Sequence, residues 1–276
     1  MEFSDAAAYF DTESVYDGYT GTFLFTAQLL AFNEHTSDGA TVRRRVMQHD
    51  PAYDIPLRKA VAIHGQRWLC GALLVDGFGD EVVRKGYSMK QCDSTMAILT
   101  PAQACAGAVG TMAYMQRLYY RDQTNMLTDS QIDTFWNIFS APDEPVTRGS
   151  ILRDQTGLHF RVRGQYLPAE GLFVNQSDQF DDGLVTLTFD SGAYNPVTET
   201  YAAGTTNVFG LWLDLPKLFD YRIKLEQDGI AGDRAVLIAK TYTPQVGVTF
   251  TMQGAKWRVL QYLTELDAWA LHVRRV

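Results

Sequence analysis

The chain has 276 residues, 46% of them hydrophobic, enough for one large core or two ordinary ones. Its formal net charge of -8 argues against a sequence-independent grip on nucleic acid, which needs clustered Lys and Arg to neutralise phosphates. Cys70, Cys92 and Cys105 are odd in number and match no metal-ligand spacing, so neither a disulfide framework nor a zinc site is expected and a reducing compartment suits them.

Residues 1–42 carry Glu2, Asp5, Asp11, Glu13, Asp17, Glu34 and Asp38 with no Lys or Arg. Acids stand where a signal peptide needs a basic stretch, and no window reaches membrane-spanning length. The expectation is a soluble, unexported chain with no membrane partner, opening with an acidic N-terminal arm over 1–20. A first β-barrel domain is expected over 21–97. There, Thr22 to Phe32, Thr41 to Met47, Leu57 to His64, Trp68 to Val75 and Glu81 to Tyr87 are rich in β-branched and aromatic residues between turn signals.

The period then changes. Thr100-Pro101 reads as a helix start, and Ala102, Cys105, Val109, Met112 and Tyr119 recur at helical spacing. A second helix is predicted from Thr128 or Ser130 through Phe139, ended by Ala141-Pro-Asp-Glu-Pro145. The spacing therefore predicts a helical hairpin over 98–142, either capping the first barrel or serving as a spacer or subunit contact.

A second β-barrel domain is predicted over 146–276. Its strands are Leu158 to Arg163, Gly171 to Asn175, Leu184 to Phe189, Phe219 to Gln227, Ala235 to Thr241, Thr249 to Gln253, Trp257 to Glu265 and Trp269 to Arg274. Residues 176–207 are acidic and rich in Gly, Asn and Thr, and read as one hairpin followed by a long exposed loop.

The two β regions share a pattern. Residues 37–76 and 227–267 each run from an Asp-Gly turn (Asp38-Gly39, Asp228-Gly229) through a proline (Pro56, Pro244) to a Gly-x-x-Trp turn. Gly39 lies 29 positions before Trp68, and Gly229 lies 28 before Trp257. Gly65, Trp68, Gly254 and Trp257 are thus expected to be structural: glycines of positive φ, each followed by a tryptophan on the inner face of the next strand. The fold class implied is mainly β, two small antiparallel barrel or sandwich domains of related design joined by a helical hairpin.

A search for chemistry finds little. His35, His49, His64, His159 and His272 are the available bases, and none adjoins a nucleophile signature. Asp181, Asp182 and Asp190 are the acids that could flank a glycosidic bond, although acids in polar turns are usually solvated. No glycine-rich phosphate loop stands out. No cofactor, no metal and no catalytic residue are expected.

The turns Ile63-His-Gly-Gln-Arg-Trp68 and Met252-Gln-Gly-Ala-Lys-Trp257 are each followed by an alternating strand with a polar end, Leu73-Leu-Val-Asp76 and Tyr262-Leu-Thr-Glu265. This pattern resembles the small β-barrels of tailed-bacteriophage head-to-tail connection proteins: head-completion, stopper and tail-adaptor proteins. The resemblance covers two blocks of about 40 residues, and the chain is about twice the usual length of a one-barrel stopper.

It implies a non-enzymatic virion protein of the phage neck, a hexameric or dodecameric ring assembled in the host cytoplasm. Its partners would be further copies of itself, a portal or adaptor above, a tail protein below, and DNA passing through the channel unheld. Asp178, Asp181, Asp182, Asp190, Tyr194 and Asn195 are the candidate channel or inter-ring loop residues, and Met112, Met115, Tyr119, Arg274 and Arg275 the candidate subunit contacts. The alternatives are another virion component (tail tube, terminator, collar or decoration protein) or a β-rich carbohydrate-binding module or glycosidase, with Tyr194, Tyr201 and Trp212 as sugar platforms.

Overall fold

The computed structural model describes residues 12–35, 41–53, 55, 60–78, 81–121, 134–168, 171–191, 194–195, 197–198, 200–201, 204–214 and 232–276. Among these residues the structure is antiparallel β-sheet with one short helix, and its strands fall into three closed six-stranded orders.

The first barrel is built from β1 (Thr12–Asp17), β2 (Phe23–His35), β3 (Thr41–His49), β4 (Ala60–Ile63), β5 (Gln66–Phe78) and β6 (Glu81–Gln91). They pair around the ring in the order β1-β2-β3-β6-β5-β4, and β1 closes on β4 through Tyr16↔Ala62 and Asp17↔Val61. Alternation along each strand supplies the filling. Val15, Phe25, Ala27, Met47, Val61, Ile63, Trp68, Cys70, Tyr87 and Met89 form one buried cluster. Strand β1 thus takes part in the barrel within the stretch that composition assigned to an N-terminal arm.

The last barrel repeats this plan with β13 (Val185–Asp190), β16 (Thr205–Asp214), β17 (Arg234–Ala239), β18 (Thr249–Met252), β19 (Ala255–Glu265) and β20 (Ala268–Arg275), ordered β13-β16-β17-β20-β19-β18. Between β13 and β16 lies a small hairpin of β14 (Tyr194–Asn195) and β15 (Thr200–Tyr201). Strands thus run through much of 176–207, which was expected to end in one long loop. The predicted strand Leu184 to Phe189 is β13, which buries Leu187 and Phe189, and the departure lies in β14, β15 and the start of β16. The predicted strand Phe219 to Gln227 and both Asp-Gly turns lie outside the described residues.

Among the described residues of 98–142 the expected helical hairpin gives way to sheet, and only α1 (Pro101–Cys105) is helical. Thr100 caps it with a reciprocal capping box to Gln103, and Pro101 fills the first turn, as predicted. The helix stops at once because Gly107 takes φ +67 and Ala108 N donates to Gln103 O while Gly107 N donates to Ala104 O. That paired bonding with a left-handed glycine is the Schellman termination.

The chain beyond α1 forms β8 (Thr111–Arg121) and β9 (Thr134–Ser140), paired through Tyr119↔Trp136 and Gln116↔Phe139. The predicted helix start at Thr128 or Ser130 lies outside the described residues.

These two strands belong to a middle barrel with β7 (Ser94–Leu99), β10 (Ile151–Arg153), β11 (His159–Tyr166) and β12 (Phe173–Gln179). Its ring reads β7-β8-β9-β12-β11-β10, so each barrel, numbered from its own first strand, has the order 1-2-3-6-5-4.

The Gly-x-x-Trp turn marks the fourth-to-fifth strand hairpin in the first and last barrels. His64 and Gly65 have φ 51 and 74, and Gln253 and Gly254 have φ 49 and 75. Positive φ at both central residues is the type I′ geometry whose twist matches that of paired strands. It fixes the register that sets Trp68 opposite Val61 and Trp257 opposite Phe250. In both copies the next register shift begins two residues beyond the tryptophan, at Cys70 and Val259. The middle barrel carries Gly157-Leu-His-Phe160 at this place, with Gly157 at φ 90 and Phe160 opposite Leu152.

Two compact units share the chain. The first comprises Met1–Met96, Met112–Val146 and Gly164–Ser177. In it Ala60, Leu69, Phe139, Leu172 and Val174 form a second core, and Tyr19 Oη donates to buried Glu144 at 2.5 Å while accepting from Tyr114 N at 3.3 Å. The second unit comprises Ala97–Thr111, Thr147–Arg163 and Asp178–Val276. Here Ala97, Leu99, Cys105, Ile151 and Phe180 pack with Leu211, Ala235, Leu237, Ala268 and Ala270.

Open space surrounds both turn glycines, so only the backbone resists a side chain there. Gly65→Val and Gly254→Val are each expected to cost about 1–2 kcal/mol, because a β-branched residue pays the left-handed penalty. Gln253→Asn, which restores the preferred Asn-Gly pair, is expected to stabilise instead. Guanidinium denaturation midpoints check both signs.

Candidate functional site

The structural residues picked from the sequence sit where a barrel needs them. Trp68 is buried with Val61 and Met89, and Trp257 with Phe250 and Val259.

The candidate loop acids are held by their own fold. Asp178 is 2% exposed, and its carboxylate lies 3.4 Å from Arg163. Asp181 meets Arg234 at 3.3 Å, and Asp182 accepts from Gln253 Nε2 at 2.8 Å. Asp190 accepts a short bond from Thr249 Oγ1 and lies 3.4 Å from Lys256 Nζ. These acids thus fasten the entry to and end of β13, with Asp181 and Asp182 at exposed positions. Tyr194 and Asn195 pair by backbone with Tyr201 and Thr200. Trp212, a candidate sugar platform, is half-buried with the Arg234 guanidinium 5.1 Å from its ring centre.

Helical spacing placed Met112, Met115 and Tyr119 on one face, whereas strand alternation sets Met112 on the face opposite Met115 and Tyr119. Met115 is 0% exposed, with Ala113 two residues before it also buried, so Met115 is core and not a contact surface. Met112 and Tyr119 are exposed. Tyr119 stands edge-on to Trp136 at 5.2 Å, with the Arg117 guanidinium 5.8 Å from the Trp136 ring. Arg275 is exposed, whereas Arg274 is engaged within the chain.

That engagement is part of a polar cluster the sequence left unseen. The β17–β20 register pairs Arg234 with Val273, so its next step sets Asp233 opposite Arg274. Arg274 Nε donates to Asp233 Oδ1 at 2.8 Å and Nη2 to Oδ2 at 2.9 Å, while His272 Nε2 lies 2.8 Å from Oδ2. Gln261, opposite His272 on β19, brings its Nε2 to His272 Nδ1 at 3.3 Å. The two ring nitrogens of His272 thus face the Gln261 amide on one side and the Asp233 carboxylate on the other. Both imidazole nitrogens are thereby spent on neighbours, so the cluster has the chemistry of a clamp across β17, β19 and β20.

The only sequence signal was the His-x-Arg spacing on one strand, which acquires a partner once the register is known. The Arg274 bonds, working against burial, hold the Asp233 carboxyl below its ordinary value. Among the described residues no group of three His, Cys, Asp or Glu could hold a metal ion, and no helix is long and apolar enough to cross a membrane.

Removing the carboxylate takes the bidentate partner from a guanidinium that still reaches solvent, so Asp233→Ala is expected to destabilise by about 1.5–3 kcal/mol, measured by denaturation at pH 7. A lowered carboxyl contributes fully above its unfolded value of 3.8, so the difference between wild type and variant should shrink as acid titrates Asp233.

Burial, aided by Asp93, pushes the Cys92 thiol up to about 12, and burial does the same to Cys105. A disulfide reagent at pH 8 should therefore titrate all three cysteines only after unfolding, with both of these slow in the native protein.

Compared with protein-family models, curated proteins and solved structures, the chain matches none of them.

Proposed function

We propose that the chain is a structural assembly protein without catalytic activity, a component of the phage neck that forms a ring between portal and tail and lines the DNA channel. The observation that carries this reading is the barrel repeated with one strand order, marked in each copy by a Gly-x-x-aromatic turn. Repeating a scaffold multiplies outward strand faces, and closed barrels present no sheet edge to pair out of register. Those are properties of a building block. The net charge of -8 suits a channel wall that lets phosphates slide past. On this reading the partners are copies of the chain in a hexameric or dodecameric ring, a portal or adaptor above and a tail protein below, in the virion. Collar, tube, terminator and decoration roles belong to the same class.

A second reading, a carbohydrate-binding module, is favoured by exposed Tyr119 standing against half-buried Trp136, since aromatic rings reaching the surface stack on sugars.

Mass photometry and negative-stain microscopy of the purified chain, alone and with a cognate portal ring, separate the two. Rings of six or twelve chains, or capture by the portal ring, are the expected result. A protein that stays monomeric in every mixture and binds a glycan through Trp136 would overturn the neck assignment.

A further inference from the structure

In the second unit, a histidine is held in a seat that disfavours its charge. His159 opens β11, is 3% exposed, and has no well-formed hydrogen bond at either ring nitrogen. Directly opposite stands Arg153, the last of only three residues of β10. Asp154 comes next in the connecting loop, but its Oδ1 already accepts from Thr156 N at 2.9 Å, Thr156 Oγ1 at 2.7 Å and Leu158 N at 3.0 Å.

Two places on, Arg161 is also buried and its Nη2 meets Glu265 of β19 at 2.5 Å, while Arg163 faces Asp178. From the segment 180–183, Asp181 is taken by Arg234 and Asp182 by Gln253. Asp154, the acid that acts on the ring, therefore has donors of its own, and the cation opposite the ring is a guanidinium. Burial first, then Arg153, bring the imidazole down from 6.5 to about 4, against the Gly157 carbonyl and Asp154.

The hairpin is coupled to the segment leading into the third barrel. His159 O accepts from Phe180 N at 2.9 Å, and Gly157 O lies 3.5 Å from where a side chain on Gly183 would begin. Phe180 is fully buried among Leu99, Ile151, Leu211 and Leu237, immediately ahead of that barrel's first strand.

We propose that the β10–β11 hairpin is an acid-operated clasp, in which proton uptake by His159 expels its ring from the seat opposite Arg153 and frees Phe180 and Gly183 to loosen. Because protonation is penalised in the closed form, the open form holds an extra proton between about pH 6.5 and 4. Above that window the closed form is unaffected. Within it the open-to-closed ratio rises up to about tenfold per pH unit. The clasp does not depend on the neck assignment.

Amide hydrogen exchange followed by mass spectrometry, with rates divided by their intrinsic values, reads the clasp from pH 7 to pH 4. In the wild type, protection over 151–163 and 180–187 should fall about tenfold per pH unit inside the window, while first-barrel peptides keep theirs. His159→Phe should abolish that dependence. An unchanged wild-type profile, or the same fall in the variant, would overturn the clasp. Should His159→Phe not fold, the wild-type His159 resonance decides: titration near pH 4 supports the clasp, and titration at or above 6.5 sinks it.

Discussion

Closure of the backbone hydrogen-bond ladder is the constraint on which the other features of this chain depend. Six short strands cannot leave their outer amides unpaired without inviting a foreign strand, and a ring removes the edge altogether. In the first barrel closure rests on two residue pairs between β1 and β4, and in the last on Thr188↔Thr251 and Phe189↔Phe250 between β13 and β18. Such short contacts work only if register is already set by the neighbouring hairpin. A two-residue I′ turn does this, because a slip by one residue would send Trp68 or Trp257 outward with every other core side chain on its strand.

Once the ring is closed, each strand has an inside and an outside, and this protein buries parts of both. Along β17, Val236 and Ile238 fill the third barrel while Ala235, Leu237 and Ala239 lie in the other core. Strand β20 does the same, with Leu271 and Val273 inward and Ala268 and Ala270 outward. The outward set is mostly alanine, which leaves room for Phe180 and Ile151 to approach. A strand buried on both faces reads as a continuous apolar run, and Ala-Val-Leu-Ile-Ala is such a run. Polar groups are displaced to the strand ends, and Asp233 and Arg274 meet one step beyond the β17 ladder.

Local signals and long-range register account for which parts of the fold were legible in the sequence. The Gly-x-x-Trp hairpins were readable because turn and tryptophan are local, and Thr100-Pro101 gave the true helix start. The middle barrel was not readable for three physical reasons. Phe160 replaces the tryptophan and pairs with a residue five before Gly157, where the other copies use four. Strand β10 has three residues, too few for a period. And Ala102, Cys105, Val109, Met112 and Tyr119 fit a helical period that Gly107 interrupts after one turn. Spacing alone does not distinguish a five-residue helix followed by a strand from a long helix. The Asp233–His272–Arg274 clamp was hidden for a different reason, since it joins residues 39 positions apart through a register that no local pattern announces.

Repetition and charge then bear jointly on function. An acidic chain whose acids projected freely would repel its own copies, and an assembly of many copies would feel that repulsion many times over. Here Asp178, Asp181, Asp182, Asp190 and Asp233 each face a cation or a donor within their own unit. Their negative charge is met locally and the fold is stiffened at the joints between strands. Exposed apolar groups such as Tyr16 against Phe23 sit on outward strand positions, the parity that forms secondary cores elsewhere in this chain. A module that already uses its outer faces to build cores within itself needs no new physics to pack those faces against another copy.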